Sequence, residues 1–220
     1  IAVAQSNFSE AEEWYQRSIS LCEMLIETEK TSEAQRELSI SYIKLGDILK
    51  KHGKLYEAEQ WYYKILTIFK MLAKESETAN NRRDLSRVYE KIGDNSRMQD
   101  KINKSKKWYL KSLVIDKALT EETQLVIDKR NLQVSYNKIG VILKAQGDID
   151  EAEKYYHEGF KIATSIAEET NTIQSRRDLF ASCTHMGDIA REQKKLNEAK
   201  EWYLYSLSLC KTLAKETGTI

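Results

Sequence analysis

The chain repeats itself every 47 residues. Tyr42, Leu45, Gly46, Gly53, Ala58, Trp61 and Tyr62 return 94 positions later as Tyr136, Ile139, Gly140, Gly147, Ala152, Tyr155 and Tyr156. Tyr89, Ile92, Gly93, Trp108 and Tyr109 stand midway, and Met186, Gly187, Ala199, Trp202 and Tyr203 follow one period on. Ala11, Trp14 and Tyr15 carry the second half of the pattern alone, near the start. No insertion or deletion disturbs the phase. Self-similarity at one fixed period of this size is the signature of a solenoid, in which each unit leans on its neighbours to bury its apolar face.

Within a unit the apolar residues have helical spacing. Leu38, Tyr42, Leu45 and Leu49 form one stripe on a first helix. Leu55, Ala58, Tyr62, Leu66 and Phe69 form the facing stripe of a second helix, and Trp61, Ile65, Ile68 and Leu72 form another. A helix with two apolar stripes must sit between two neighbours, which a stacked array provides. The chain has no proline and only 8 glycines, which favours long uninterrupted helices. A glycine inside a helix costs about 1 kcal/mol relative to alanine. Gly46, Gly93, Gly140 and Gly187 recur there, so close approach of a neighbouring helix must outweigh that cost.

These observations predict an all-α chain: one array over residues 1–220, with a partial repeat 1–31 and full repeats 32–78, 79–125, 126–172 and 173–220. Ile1 to Ala4 align with the end of a first helix, and the chain stops just after a second helix without a polar cap. Both ends are therefore expected to be cut from a longer chain. The second repeat is the irregular one. Asn95 and Ser96 stand where Ile48 and Leu49 stood, Asp100 replaces the turn glycine, and Ser105 replaces Ala58. Looser packing is expected there.

The repeated residues resemble tetratricopeptide repeats. The family's Leu-Gly pair is matched by Leu45-Gly46, Ile92-Gly93, Ile139-Gly140 and Met186-Gly187. Its alanine is matched by Ala11, Ala58, Ala152 and Ala199, and its second-helix aromatic by Tyr15, Tyr62, Tyr109, Tyr156 and Tyr203. The common period of that family is about 34 residues; here it is 47, and the proline that closes the family's second helix is missing. Both helices are expected to lengthen accordingly. The resemblance implies a right-handed α-solenoid of stacked antiparallel helix pairs. It also implies a non-catalytic scaffold that binds a peptide or protein segment in a concave groove lined by the first helices. The alternative is the sensor region of a multidomain signalling enzyme whose catalytic domain lies outside this chain.

Composition narrows the function classes. Lys plus Arg number 35 and Asp plus Glu 34, a formal net charge of +1, which argues against nucleic acid. No apolar run approaches the roughly 20 residues of a membrane span, and the start does not read as a signal peptide. Cys22, Cys183 and Cys210 show no paired spacing and are expected to be buried and reduced, which fits a cytoplasmic protein. His52, His157 and His185 fall at three different repeat positions, so no metal or catalytic site is expected from them. No nucleophile motif or phosphate loop is present, so neither cofactor nor enzyme activity is expected.

The polar rows of the first helices are the candidate site. Lys44, Lys91, Lys138 and His185 are equivalent positions, as are Lys50, Arg97, Lys144 and Arg191. Asp47, Asp94 and Asp188 lie between them, with Val141 as the exception. By the resemblance these rows face the groove. The residues singled out are Lys44, Asp47, Lys51, Arg87, Lys91, Asp94, Asn137, Lys138, Lys144, His185 and Arg191. With Lys50, Arg97, Glu90, Asp188 and Glu192, the inward rows hold nine cations against five acids. An acidic peptide or protein is the expected partner, and self-association through the uncapped end repeats is a further expectation. The competing account is a solvated face with lysine–aspartate pairs three residues apart, worth about 0.2–0.5 kcal/mol each. Arg36, Arg83, Arg130 and Arg177, which open the first helices, are expected to be structural, each reaching the end of the preceding helix.

Overall fold

The structure, a computed structural model, describes residues 8–29 and 31–216. Ile1 to Ala4, aligned above with the end of a first helix, lie outside them. Among the described residues there are nine α-helices and no strand. First helices are α2 (Ser32–Lys51), α4 (Ala79–Met98), α6 (Val126–Ala145) and α8 (Ile173–Glu192). Second helices are α1 (Phe8–Glu29), α3 (Leu55–Glu75), α5 (Ile102–Thr123), α7 (Ile149–Thr170) and α9 (Leu196–Glu216). Each full repeat starts its helices 47 residues after the last, at 32, 79, 126 and 173 and at 55, 102, 149 and 196. The first helices are all 20 residues long and the second 21 or 22, so the longer period is absorbed by longer helices.

The chain falls into two compact units, Ile1–Ser112 and Leu113–Ile220. The first holds α1 to α4 and the start of α5; the second holds the rest of α5 and α6 to α9. In both, consecutive helices pack pairwise, α1 on α2, α2 on α3 and α3 on α4, then α6 on α7, α7 on α8 and α8 on α9.

One contact recurs in every full repeat. The first-helix glycine lies against the ring of the tyrosine sixteen residues later. A Cβ on Gly46, Gly140 or Gly187 would sit 2.8, 2.7 and 2.7 Å from the rings of Tyr62, Tyr156 and Tyr203, and Gly93 meets Tyr109 in the same way. Tyr62, Tyr109 and Tyr156 are fully buried. The glycine is thus required by close approach, as the sequence predicted, and its helical cost is offset by a buried aromatic ring.

Local chemistry fixes the helix boundaries. Thr31, Thr78 and Thr172, again in register, cap α2, α4 and α8, each accepting a hydrogen bond from the backbone N–H three residues on at 3.2, 3.2 and 3.1 Å. Leu125 breaks this series before α6; there Thr123 donates to the buried carboxylate of Asp128 at 2.6 Å. The turns between paired helices need a left-handed residue. Gly53 and Gly147 supply it without strain, at φ +76° and +83°; Asp100 and Lys194 adopt it at φ 59° and 64°.

Two of the arginines at the helix starts, Arg36 and Arg130, differ from expectation. Arg36 donates to Asp84 at 2.6 Å and to Asn81, and Arg130 donates to Asp178 at 2.8 Å. They reach forward to the next first helix rather than back to the preceding one, because the acid 48 residues on lies within reach of the guanidinium fork. The cysteines also depart in part. Cys183 is buried, with its thiol pushed up to about 11 by burial, but Cys22 is half-buried and Cys210 is exposed. The position equivalent to Cys210 on α7 is Ala163, which packs under α8.

Asn95 and Ser96 are buried completely in the irregular repeat. The Asn95 amide donates to the Leu55 carbonyl at 2.9 Å, tying α4 to α3. The Asn95 Oδ1 and Ser96 Oγ atoms are buried without a partner, and such groups cost about 1–3 kcal/mol each.

Two outcomes follow from this packing. Gly140→Leu forces a side chain into the Tyr156 ring and should cost about 3 kcal/mol, the upper end of ordinary overpacking. Thermal denaturation should then shift down by roughly 6–12 °C. Ser96→Ala, which installs the residue found in register at Ala190, removes an unpartnered hydroxyl and should raise the melting temperature by roughly 2–4 °C.

Candidate partner-binding surface

The aspartate of the first-helix row is occupied from two sides. Asp47 accepts the Tyr62 hydroxyl at 2.7 Å. It also takes both close contacts of the Lys91 ammonium, at 2.9 Å from Oδ1 and 2.7 Å from Oδ2. One carboxylate therefore links α2 to its own second helix α3 and to the next first helix α4. Tyr109 donates to Asp94 at 2.6 Å and Tyr203 to Asp188 at 2.7 Å. Burial, followed by the neighbouring carboxylate, holds the Tyr62 and Tyr109 hydroxyls well above the usual phenol range, so both stay donors.

Where the aspartate is missing, its lysine is missing too. Val141 and His185 stand 44 residues apart, the separation of Asp47 and Lys91. His185 stacks on the buried Tyr156 ring with centroids 4.7 Å apart and planes 14° from parallel. Burial lowers its pKa; Asp188 favours the charged form and Lys144 opposes it. His185 is thus a packing residue.

The remaining predicted site residues divide. Arg87 is exposed and lies 3.8 Å from Asp84. Asn137 is half-buried, and its side-chain oxygen presses on Gly159 of α7, where a Cβ would clash with it. Lys138 is half-buried on α6. Lys144 lies 3.9 Å from both Asp188 and Glu192, and Arg191 lies 3.7 Å from Asp188. Lys50, Arg97, Lys144 and Arg191 also fall in the last turns of their helices, where a cation complements the helix dipole. The lysine–aspartate pairs expected three residues apart are looser, at 3.9 Å for Lys50 and Asp47, than the Lys91 pair formed between neighbouring first helices.

Four of the predicted residues do converge. Lys44, Asp47, Lys51 and Lys91 line a recess of about 330 Å³, with Lys50, Ile48 and Tyr15 completing the wall. Four ammonium groups face one carboxylate. Lys91 is committed to Asp47, and Lys50 leans toward it. Among the described residues, Lys44 and Lys51 have no acid within ion-pair distance. The inward rows of the first unit carry six cations and three acids, those of the second three and two. Most of the basic excess therefore sits in the first unit. Among the described residues no group of three or more His, Cys, Asp or Glu is placed to hold a metal ion.

Among the described residues, helices in strict 47-residue register, packed pairwise within each unit, define a helical-repeat protein of the α-solenoid class. Family models described as tetratricopeptide repeat match residues 40–70, 133–168 and 180–212, so these segments carry tetratricopeptide repeats. No curated protein matches it in sequence. Solved structures share the fold at low identity. RapI in its apo form matches at TM-score 0.73 and 15% identity over 96% of this chain and 51% of that one. A Podosopora anserina protein described as a kinesin light chain with nearly identical TPR-like repeats matches at 0.67 and 12%, over 98% and 91%. The Rap conjugation gene regulator of plasmid pLS20, solved with the Phr* peptide, matches at 0.61 and 11% over 96% of this chain and 51% of that one. The chain thus spans about half the length of the two Rap proteins.

His185 gives this surface a pH signature. Its folded pKa lies below the ordinary 6.5, so the unfolded chain binds the proton more readily. The stability this contributes is present above 6.5 and is lost as pH falls through the folded value. Melting curves from neutral to mildly acidic pH should show a steeper fall for the native chain than for His185→Phe, which keeps the ring stack without the titration.

Proposed function

We propose that this chain is a non-catalytic protein-interaction scaffold that binds an acidic peptide segment in the recess between α2 and α4. The observation that carries the proposal is the pair of uncompensated lysines, Lys44 and Lys51, at the rim of a concave site. A recess of one sign concentrates the field on an opposite-sign ligand and speeds its capture. Lys91 and Asp47 also line it, and Tyr15 and Ile48 give apolar surface for the peptide's aliphatic atoms. The Phr* complex of the plasmid pLS20 regulator supports a peptide as the ligand class for this fold. A partner with acidic side chains fits better than nucleic acid, because Asp47 lies inside the site and the chain's net charge is only +1. Among the described residues no helix is long and apolar enough to cross a membrane.

A second reading is the sensor region of a larger regulator, with any catalysis elsewhere. The half-length match to the two Rap proteins favours it, and it leaves the binding recess unchanged.

Lys44→Glu with Lys51→Glu is the direct test, read by fluorescence anisotropy against an array of acidic 12-residue peptides. Native chain should bind a subset in the micromolar range, roughly −8 kcal/mol. Affinity should fall as added salt shortens the ~8–10 Å screening length. The double variant should lose binding with an unchanged melting temperature, since both side chains are exposed and unpaired. Lys91→Glu should instead lower the melting temperature, because it sets a carboxylate against Asp47. Retention of binding by the double variant at low and high salt alike sinks the proposal.

A further inference from the structure

The first half of α5 reverses the charge that the other second helices carry there. From Lys101 to Lys111 the chain has five lysines and no acid. Lys104 is the clearest case. Its register holds glutamate on each of the other four second helices, at Glu10, Glu57, Glu151 and Glu198. Those glutamates sit in the first helical turn, where an acid complements the helix dipole; the first turn of α5 holds none. Lys107 stands where α1 and α9 carry Glu13 and Glu201. A lysine in the first turn works against the dipole, so helix stability does not account for this stretch.

Within the first unit the reversal builds an exposed basic and aromatic surface. Lys104, Lys107 and Lys111 recur at one-turn spacing and share a side of α5. Lys104 lies over the Tyr63 ring of α3 at 5.5 Å and Lys111 over the Trp108 ring at 4.3 Å, and the two rings meet edge to face at 6.0 Å. Lys70 and Lys74 follow Tyr63 by seven and eleven residues, on the same side of α3. The buried Glu59 takes Lys101 and Lys104. Among the described residues, Lys70, Lys74, Lys107 and Lys111 are exposed and have no acid within ion-pair distance. Apolar atoms are exposed beside them, at Leu110 and Met71.

We propose that this surface of α3 and α5 adsorbs, without crossing, to a bilayer that contains anionic lipid. The four unpaired ammoniums meet the headgroup charges, each strengthening the attachment about fivefold. Tyr63 and Trp108 are ring types that favour the headgroup level, and Leu110 and Met71 offer apolar atoms to the acyl boundary. A single acidic protein segment fits less well. Neither α3 nor the stretch from Lys101 to Lys111 contains an arginine, so no planar fork fixes a particular carboxylate. Mobile headgroups meet such point charges wherever the flexible stems place them.

The test is co-sedimentation with vesicles of phosphatidylcholine alone and of phosphatidylcholine mixed with phosphatidylserine. The native chain should bind the mixed vesicles and not the neutral ones, and added salt should release it. Lys107→Glu with Lys111→Glu should lower partitioning about 25-fold, two lysines' worth. Lys200→Glu with Lys211→Glu changes the net charge equally at exposed positions of α9 and should leave binding unchanged. Where the first double variant fails to fold, Lys107→Gln, whose side chain makes no ion pair, carries the test with a loss of about fivefold. No binding to mixed vesicles, equal binding to both kinds, retention by the α5 variants, or an equal loss in the α9 variant each overturns the proposal. So does tighter capture of polyglutamate than of mixed vesicles, lost in the same α5 variant, since it would assign the surface to an acidic protein. Lys44→Glu with Lys51→Glu should still bind the vesicles, which separates this outcome from that of the recess.

Discussion

The distance between a first helix and its second is set by a glycine meeting a tyrosine ring, and the rest of the stack depends on that contact. With no side chain at Gly46, Gly93, Gly140 and Gly187, the ring of Tyr62, Tyr109, Tyr156 or Tyr203 lies directly against helix backbone. The ring brings a hydroxyl to the far side of the contact. A buried phenol needs an acceptor, and in three of the four repeats the residue after the glycine is an aspartate that provides one. At Asp47 the carboxylate also captures Lys91 from the next first helix. Packing between the helices of one repeat is thereby coupled electrostatically to stacking on the next.

This coupling reassigns much of the charge that marks the first helices. A lysine row can be a binding surface or half of a stacking interaction, and the two are indistinguishable by composition. The Val141–His185 exchange separates them. If the lysines at this position served only a ligand, loss of the aspartate would leave the lysine in place. Instead both change, and His185 becomes a ring-stacking residue over Tyr156. The charge that stacking does not use includes Lys44 and Lys51 in the first unit.

The sequence predicted the fold well because its determinants are periodic. The 47-residue phase places helix starts, turn glycines and buried tyrosines at once, and each appears at its register in the structure. The threonine caps were equally periodic, at Thr31, Thr78 and Thr172, and Leu125 obscured them. The candidate site was legible only as a set of residues. Its pairing was not, because Lys91 and Asp47 are 44 positions apart while i, i+3 spacing invites a pairing within one helix. Asn137 was singled out by register alone, and its side-chain oxygen lies against Gly159 of α7, a contact the register does not reveal.

The charges at position 59 of the pattern follow the same logic as the aspartate row, with opposite consequences. Both rows couple one repeat to the next, so neither is free to drift alone; a change on one side must be met on the other. Glu12, Glu59 and Glu153 are met by lysine. Lys106 and Lys200 stand at this register instead, so the acid is kept on three of the five second helices.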